Sequence, residues 1–188
     1  MSHDGDAKSS ANNPANNPAN EGHHHRQQAP TRVPTVIVTV SDTRTLETDT
    51  GGALVEEMLL AADQPVAGRR IVPDEPEAIR AALDQAMANS ECRAVIFTGG
   101  TGVAARDVTP DVLEPELDRL VPGFGEIFRM LSYEEIGSAA LLSRAMAGLK
   151  RGKIVFAIPG SRGAVRLAME KLILPELGHL AGEAMKKG

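Results

Sequence analysis

The sequence predicts an α/β fold of three layers, α/β/α, with helices on both faces of a mostly parallel, doubly wound sheet. Two runs carry that expectation. Val36-Ile37-Val38-Thr39-Val40 is a continuous β-branched run and Ala94-Val95-Ile96-Phe97-Thr98 a second, largely apolar one, the pattern of strands covered on both faces rather than one. Between them the apolar spacing turns helical twice, giving the strand, helix, strand, helix, strand order of right-handed crossovers.

Residues 1–31 consist mainly of Asn, Ala, Pro, Ser and His, with the near repeat Asn12-Asn13-Pro14-Ala15 and Asn16-Asn17-Pro18-Ala19. Such a segment has too few large apolar side chains to offset the entropy of ordering, so a disordered tail is expected, with the folded unit at 32–188. His23-His24-His25 lies in the tail and is read as solvated, because a metal site needs ligands fixed by a scaffold. After the first strand, Asp49 or Thr50 caps a helix with Leu54, Met58, Leu59 and Ala62 on one side. A short strand, Arg69–Val72, stops at Pro73-Asp74, and Ile79, Leu83, Ala86 and Met87 mark the second helix. Beyond the second buried strand, a helix is expected from Val112 to Leu120, interrupted by Pro122-Gly123-Phe124-Gly125, and another from Glu126 to Ile136. Arg144–Leu149 and Lys153–Ile158 read as two strands joined through Lys150-Arg151-Gly152. A helix from Ala164 is expected to be separated by Pro175 from a last one carrying Leu177, Leu180 and Met185.

Composition excludes several functions. Aromatic residues make up only 3% of the chain, with no Trp, and the net charge is -5, so neither a base-stacking platform nor a basic nucleic-acid face is expected. The single Cys92 has no disulfide partner, and no run approaches the ~20 apolar residues of a membrane span. A cytoplasmic location is expected, with no nucleic acid and no membrane as partner.

In open α/β sheets, ligands sit beyond the carboxyl ends of the strands. Three such ends are polar or glycine-rich: Ser41-Asp42, Thr98-Gly99-Gly100-Thr101-Gly102 and Pro159-Gly160-Ser161. The middle one removes side chains where backbone amides could turn toward an anion, and reads either as a phosphate cradle or as a tight strand exit. Arg106-Asp107-Val108-Thr109-Pro110-Asp111 follows it. A carboxylate beside a phosphate needs a cation between them, so Asp107 is a candidate Mg²⁺ ligand and Thr109 a candidate helix cap. Asp74 is read either as an N-cap or as a second carboxylate in the same crevice, the latter if its strand neighbours the glycine-rich one. Pro159-Gly160-Ser161 offers helix-start amides to a further anionic group.

Thr98 to Gly102, Arg106 to Pro110, Pro122 to Gly125, Ser143-Arg144 and Pro159 to Ser161, in this order, resemble the molybdenum cofactor biosynthesis domain family over 33–181. Ser132-Tyr133-Glu134-Glu135-Ile136-Gly137 looks most like its B-type members. The resemblance implies molybdopterin and ATP as substrates, Mg²⁺ as cofactor, a homotrimer or hexamer, and a molybdate-insertion protein as downstream partner. In active members the molybdopterin phosphate attacks the α-phosphorus of ATP, giving adenylyl-molybdopterin and pyrophosphate. Carried over by motif, the catalytic and metal-holding aspartates fall on Asp74 and Asp107. Ser41, Asp42, Thr98 to Gly102, Thr109 and Pro159 to Ser161 are then expected to bind substrate phosphates. Arg162-Gly163 stands where adenylylating relatives often have Pro-Lys, so a member that binds molybdopterin without turnover is the alternative. The nucleotide-pyrophosphate hydrolase domains of competence-damage-inducible relatives are a third reading, though those usually carry a second domain.

Overall fold

A computed structural model describes residues 30–186. Nearly all of the expected tail, His23 to His25 included, lies outside them. The strands are β1 (Thr35–Val40), β2 (Val66–Val72), β3 (Ala94–Thr98), β4 (Arg119–Leu120), β5 (Met146–Lys150) and β6 (Lys153–Ile158). They form one sheet in the order β2-β1-β3-β6-β5-β4. The first four pair in parallel, and β5 and β4 are added antiparallel. Every residue of β1, β3 and β6 is buried, and full burial of side chains such as Val95, Ile96 and Phe97 stabilises by about 1.5–3 kcal/mol each.

Helices cover both faces. On one side α1 (Thr50–Ala61), α4 (Pro122–Ile136), α5 (Arg162–Ala168) and α6 (Leu174–Met185) enclose Val55, Leu59, Phe128, Phe156 and Leu177. On the other, α2 (Pro76–Ala88) and the short α3 (Thr109–Leu113) enclose Ile79, Leu83, Phe97 and Leu113. The three-layer expectation is met.

Four expectations about elements are corrected. The helix expected over 112–120 ends at Leu113, passes through a 3-10 turn at Glu114–Glu116 and gives way to β4; Pro115 has no amide to continue the α-helical ladder, and the chain turns extended at Leu117. Pro122 does not interrupt a helix. It occupies the first turn of α4, where its missing N–H has no partner to lose. Pro175 likewise does not separate two helices. α5 runs into α6 through a wider π-helical stretch, Met169–Ile173, whose altered hydrogen-bond spacing accommodates the proline ring. Thr109 is not a helix cap, since Val108 holds the N-cap position without a side-chain bond.

The β5–β6 hairpin turns at Arg151 and Gly152, with φ of 50° and 73°, the paired positive angles that match strand twist. Lys153 is buried and donates to the carbonyls of Ala86, Met87 and Asn89 at 3.0, 2.8 and 2.6 Å. An ammonium there closes the negative end of α2, and burial pushes its pKa down.

Candidate active site

The sheet order reverses at β1. The chain steps from β1 outward to β2 and then back past β1 to β3, so the exits of β1, β3 and β6 lie side by side where a doubly wound sheet opens its crevice. The three exits singled out in the sequence are these.

Gly99 and Gly100 have φ of +104° and +62°. A Cβ on Gly99 would stand 2.4 Å from the Val40 carbonyl oxygen of β1, so glycine alone allows the strand exits to close up. Both halves of the turn are held through their carbonyls. Gly99 O accepts from the Thr109 hydroxyl at 3.0 Å and Gly100 O from the Thr109 amide at 3.0 Å. Thr101 O accepts from the Arg144 amide at 2.9 Å and Gly102 O from Arg144 Nε at 2.7 Å. In a planar trans peptide the N–H points opposite the C=O. Each following amide, of Gly100, Thr101, Gly102 and Val103, therefore points away from the group that holds its carbonyl, and among the described residues none of those amides donates to another group. A run of unengaged amide donors is what an anion requires.

Asp74 and Asp107 flank this turn. A Cβ on Gly100 would lie 2.9 and 3.2 Å from the two Asp74 carboxylate oxygens, and one on Gly102 would lie 2.6 Å from Asp107 Oδ2. The route differs from the one expected, because β1 stands between β2 and β3, and Asp74 reaches the turn past β1 rather than from an adjacent strand. It is not a cap either, since Glu75 holds the N-cap position of α2. Asp74 Oδ1 is buried with no hydrogen-bond partner, which is costly for a carboxylate unless a ligand or cation completes it. Burial raises the pKa of Asp74. The charges of Asp107 and Asp42 add to the rise, against the Val108 amide and Arg106. Asp107 Oδ2 accepts from the Ala104 amide at 3.0 Å.

Asp42 ties the loops together. Its Oδ1 accepts from the Asp74 amide at 2.9 Å and its Oδ2 pairs with Arg106 at 3.0 Å. Ser41 Oγ accepts from the Thr43 and Arg44 amides at 3.3 Å. Ser161 caps α5 by accepting from the Ala164 amide at 3.3 Å. Thr109 is buried beneath the turn as a brace. Two cavities adjoin the turn. A polar one of about 90 Å³ includes Ser41, Arg44, Thr98, Gly99 and Gly160. A mainly apolar one of about 210 Å³ includes Thr101, Gly102, Phe128, Ile136, Pro159 and Ser161.

Asp49 has a larger part than the sequence suggested. Beyond capping α1 through Gly52 N at 2.9 Å, its carboxylate takes the Thr39 hydroxyl at 2.7 Å and Arg69 at 3.0 Å. Burial opposes the charge, but these three donors hold the Asp49 pKa down. A charged Arg69 within a strand was the sequence signal that such a partner existed.

Two carboxylates fit a Mg²⁺ ion that takes its remaining ligands from water and substrate phosphate. They do not fit a metal caged by protein alone, and among the described residues no group of three or more His, Cys, Asp or Glu could hold one. No helix among them is long and apolar enough to cross a membrane.

Residues 36–179 match the family model described as "Probable molybdopterin binding domain". Molybdenum cofactor biosynthesis protein B of Halalkalibacterium halodurans is 49% identical over 159 residues, covering 84% of this chain and 94% of that protein. The protein of the same name from Bacillus cereus is 51% identical over 156 residues, covering 82% and 92%. Among solved structures, a molybdenum cofactor biosynthesis protein B superposes with a TM-score of 0.82 at 50% identity, over 85% of this chain and all of that one, 100%. A tungsten cofactor synthesizing protein MoaB from Pyrococcus furiosus gives 0.76 at 36% identity, over 84% and 100%.

Proposed function

The chain belongs to the molybdopterin-binding domain family of molybdenum cofactor biosynthesis protein B, and on that premise we propose that it transfers an adenylyl group from ATP to the phosphate of molybdopterin. A role in molybdenum cofactor biosynthesis follows from the family; the reaction is our reading of the site. One observation carries it: a turn with tied carbonyls and free amides is flanked by two carboxylates, one with a buried oxygen lacking any partner. An anion cradle between acids is repulsive unless a cation joins the substrate. Asp74 and Asp107 would hold Mg²⁺, which when bound neutralises phosphate charge.

The residues of the chain then have defined tasks. The amides of Gly100, Thr101 and Gly102 bind and orient the acceptor phosphate. Placing its oxygen in line with the α-phosphorus forms one P–O bond as the bond to pyrophosphate breaks, and the fixed amide dipoles favour the charge that develops. Thr109 keeps the donors aimed. The apolar cavity beside Thr101 and Gly102 suits the planar ring of a substrate whose phosphate reaches the turn. Oligomerisation belongs to the same proposal: α4 and the segment after it expose Ile127, Met130, Tyr133, Ile136, Leu141 and Leu142, an apolar face of the kind buried between subunits. A second reading, binding without turnover, is favoured by the engagement of Asp107 with the Ala104 amide. Pyrophosphate release from ATP with molybdopterin and Mg²⁺ separates the two. Release by the wild type and not by Asp107→Asn is expected, and no release above the variant sinks the transfer reading.

A further inference from the structure

We propose that Arg144 is the positioning residue that locks the glycine turn and the Asp107 loop into one working geometry, a claim that rests on the cradle reading above. Arg144 lies just before β5, remote in sequence from both parts it joins. Its amide donates to Thr101 O at 2.9 Å and its Nε to Gly102 O at 2.7 Å. One terminal nitrogen donates to the Asp107 carbonyl. The other reaches both Asp111 carboxylate oxygens, at 2.8 and 2.9 Å.

These contacts divide by purpose. The Asp111 pair is exposed on the acid side, where the carboxylate retains 62% of its accessibility, and such a pair contributes only about 0–1 kcal/mol. The three carbonyl contacts face inward. Through the trans peptide they fix the Gly102 and Val103 amides pointing away from Arg144, and through the Asp107 backbone they fix where that carboxylate starts. Thr109 serves only the first half of the turn. Val103 to Arg106, which link the turn to Asp107, are exposed and cannot supply the same restraint by packing. Lysine cannot replace the residue. A guanidinium presents a rigid planar fork with donors in several directions, whereas an ammonium is a point charge on a flexible stem.

The full-length wild type, Arg144→Lys, Arg144→Ala and Asp111→Asn are compared by thermal unfolding, by pyrophosphate binding in a calorimeter and by pyrophosphate release from ATP with molybdopterin and Mg²⁺. For Arg144→Lys, kcat/KM is expected to fall about 100-fold, the cost of displacement by roughly 1 Å. Pyrophosphate binding weakens about 10-fold, one decade in Kd, while the protein stays folded. Asp111→Asn changes neither by more than about threefold. Added methylguanidinium restores part of the binding lost in Arg144→Ala while the thermal midpoint stays where it was, which a role in overall stability alone does not allow. Arg144→Lys within threefold of wild type in both binding and release overturns the proposal, as does a loss matched by the unfolded fraction. A wild type that binds pyrophosphate but releases none from ATP defeats the transfer reading alone, and Arg144 is then judged on binding.

Discussion

Replacing Gly100 with Ala perturbs the cradle at one atom. The residue sits at φ +62°, where a non-glycine residue costs about 1–2 kcal/mol. The new methyl would stand 2.4 Å from Thr109 Oγ1 and 2.9 Å from Asp74 Oδ1. Thr109 is buried and cannot swing aside without releasing the Gly99 carbonyl, which adds about 1–3 kcal/mol for an unsatisfied buried group. The sum, about 2–5 kcal/mol, corresponds to a fall in Tm of roughly 5–15 °C for a chain of this length. Gly163→Ala is the internal control: it lies in α5 with no atom within 4 Å of its added Cβ, and the helix gains up to about 1 kcal/mol. Differential scanning calorimetry on both variants is the assay. A Gly100→Ala midpoint within a degree or two of wild type would refute the idea that this position is sterically committed.

Three further outcomes are expected. Asp74→Asn abolishes pyrophosphate release yet stabilises the ligand-free fold. Burial raises the pKa of Asp74 above 3.8, so its favourable contribution is complete below that value and lost as pH rises through the folded-state pKa. At pH 7 the ionised group opposes folding, and urea titrations should show the advantage of the Asn variant shrinking toward pH 4. Asp49→Ala removes the cap of α1 and leaves Arg69, itself only 15% exposed, without its main partner, costing about 3–5 kcal/mol; an equilibrium-unfolding loss below 1 kcal/mol contradicts this. Light scattering should find three or six copies of the wild type and a smaller species for Met130→Lys, because a charge on the exposed face of α4 opposes burial between copies.

The strands that build the crevice were legible because burial on both faces leaves a signal that needs no partner information. β1, β3 and, after Lys153, β6 are largely apolar runs, and their exits follow directly. What failed was local and had local causes. Pro115 ends an α-helix that the apolar positions alone extend, Pro122 stands in the first turn of α4, and Pro175 follows the π-helical stretch through which α5 continues into α6. The two-residue β4 is too short to show any period. At the site, the glycine turn and its acids could be named, but not the path by which they meet, since sequence does not reveal that β1 separates β2 from β3. The longest side chains were hardest to place. Arg69 and Arg144 act on groups 20 and 42 residues away, and only the fold fixes where such a guanidinium ends.

Asp74 and Asp107 are expected to share one cation beside the Gly99–Gly102 turn. Crystals grown with Mn²⁺ and a non-hydrolysable ATP analogue, measured at the manganese absorption edge, test it most directly. A single anomalous peak within coordination distance of both carboxylates, absent in the Asp74→Asn variant, is predicted. A peak on one acid alone, or nucleotide bound away from the turn, would rule out a shared cation site.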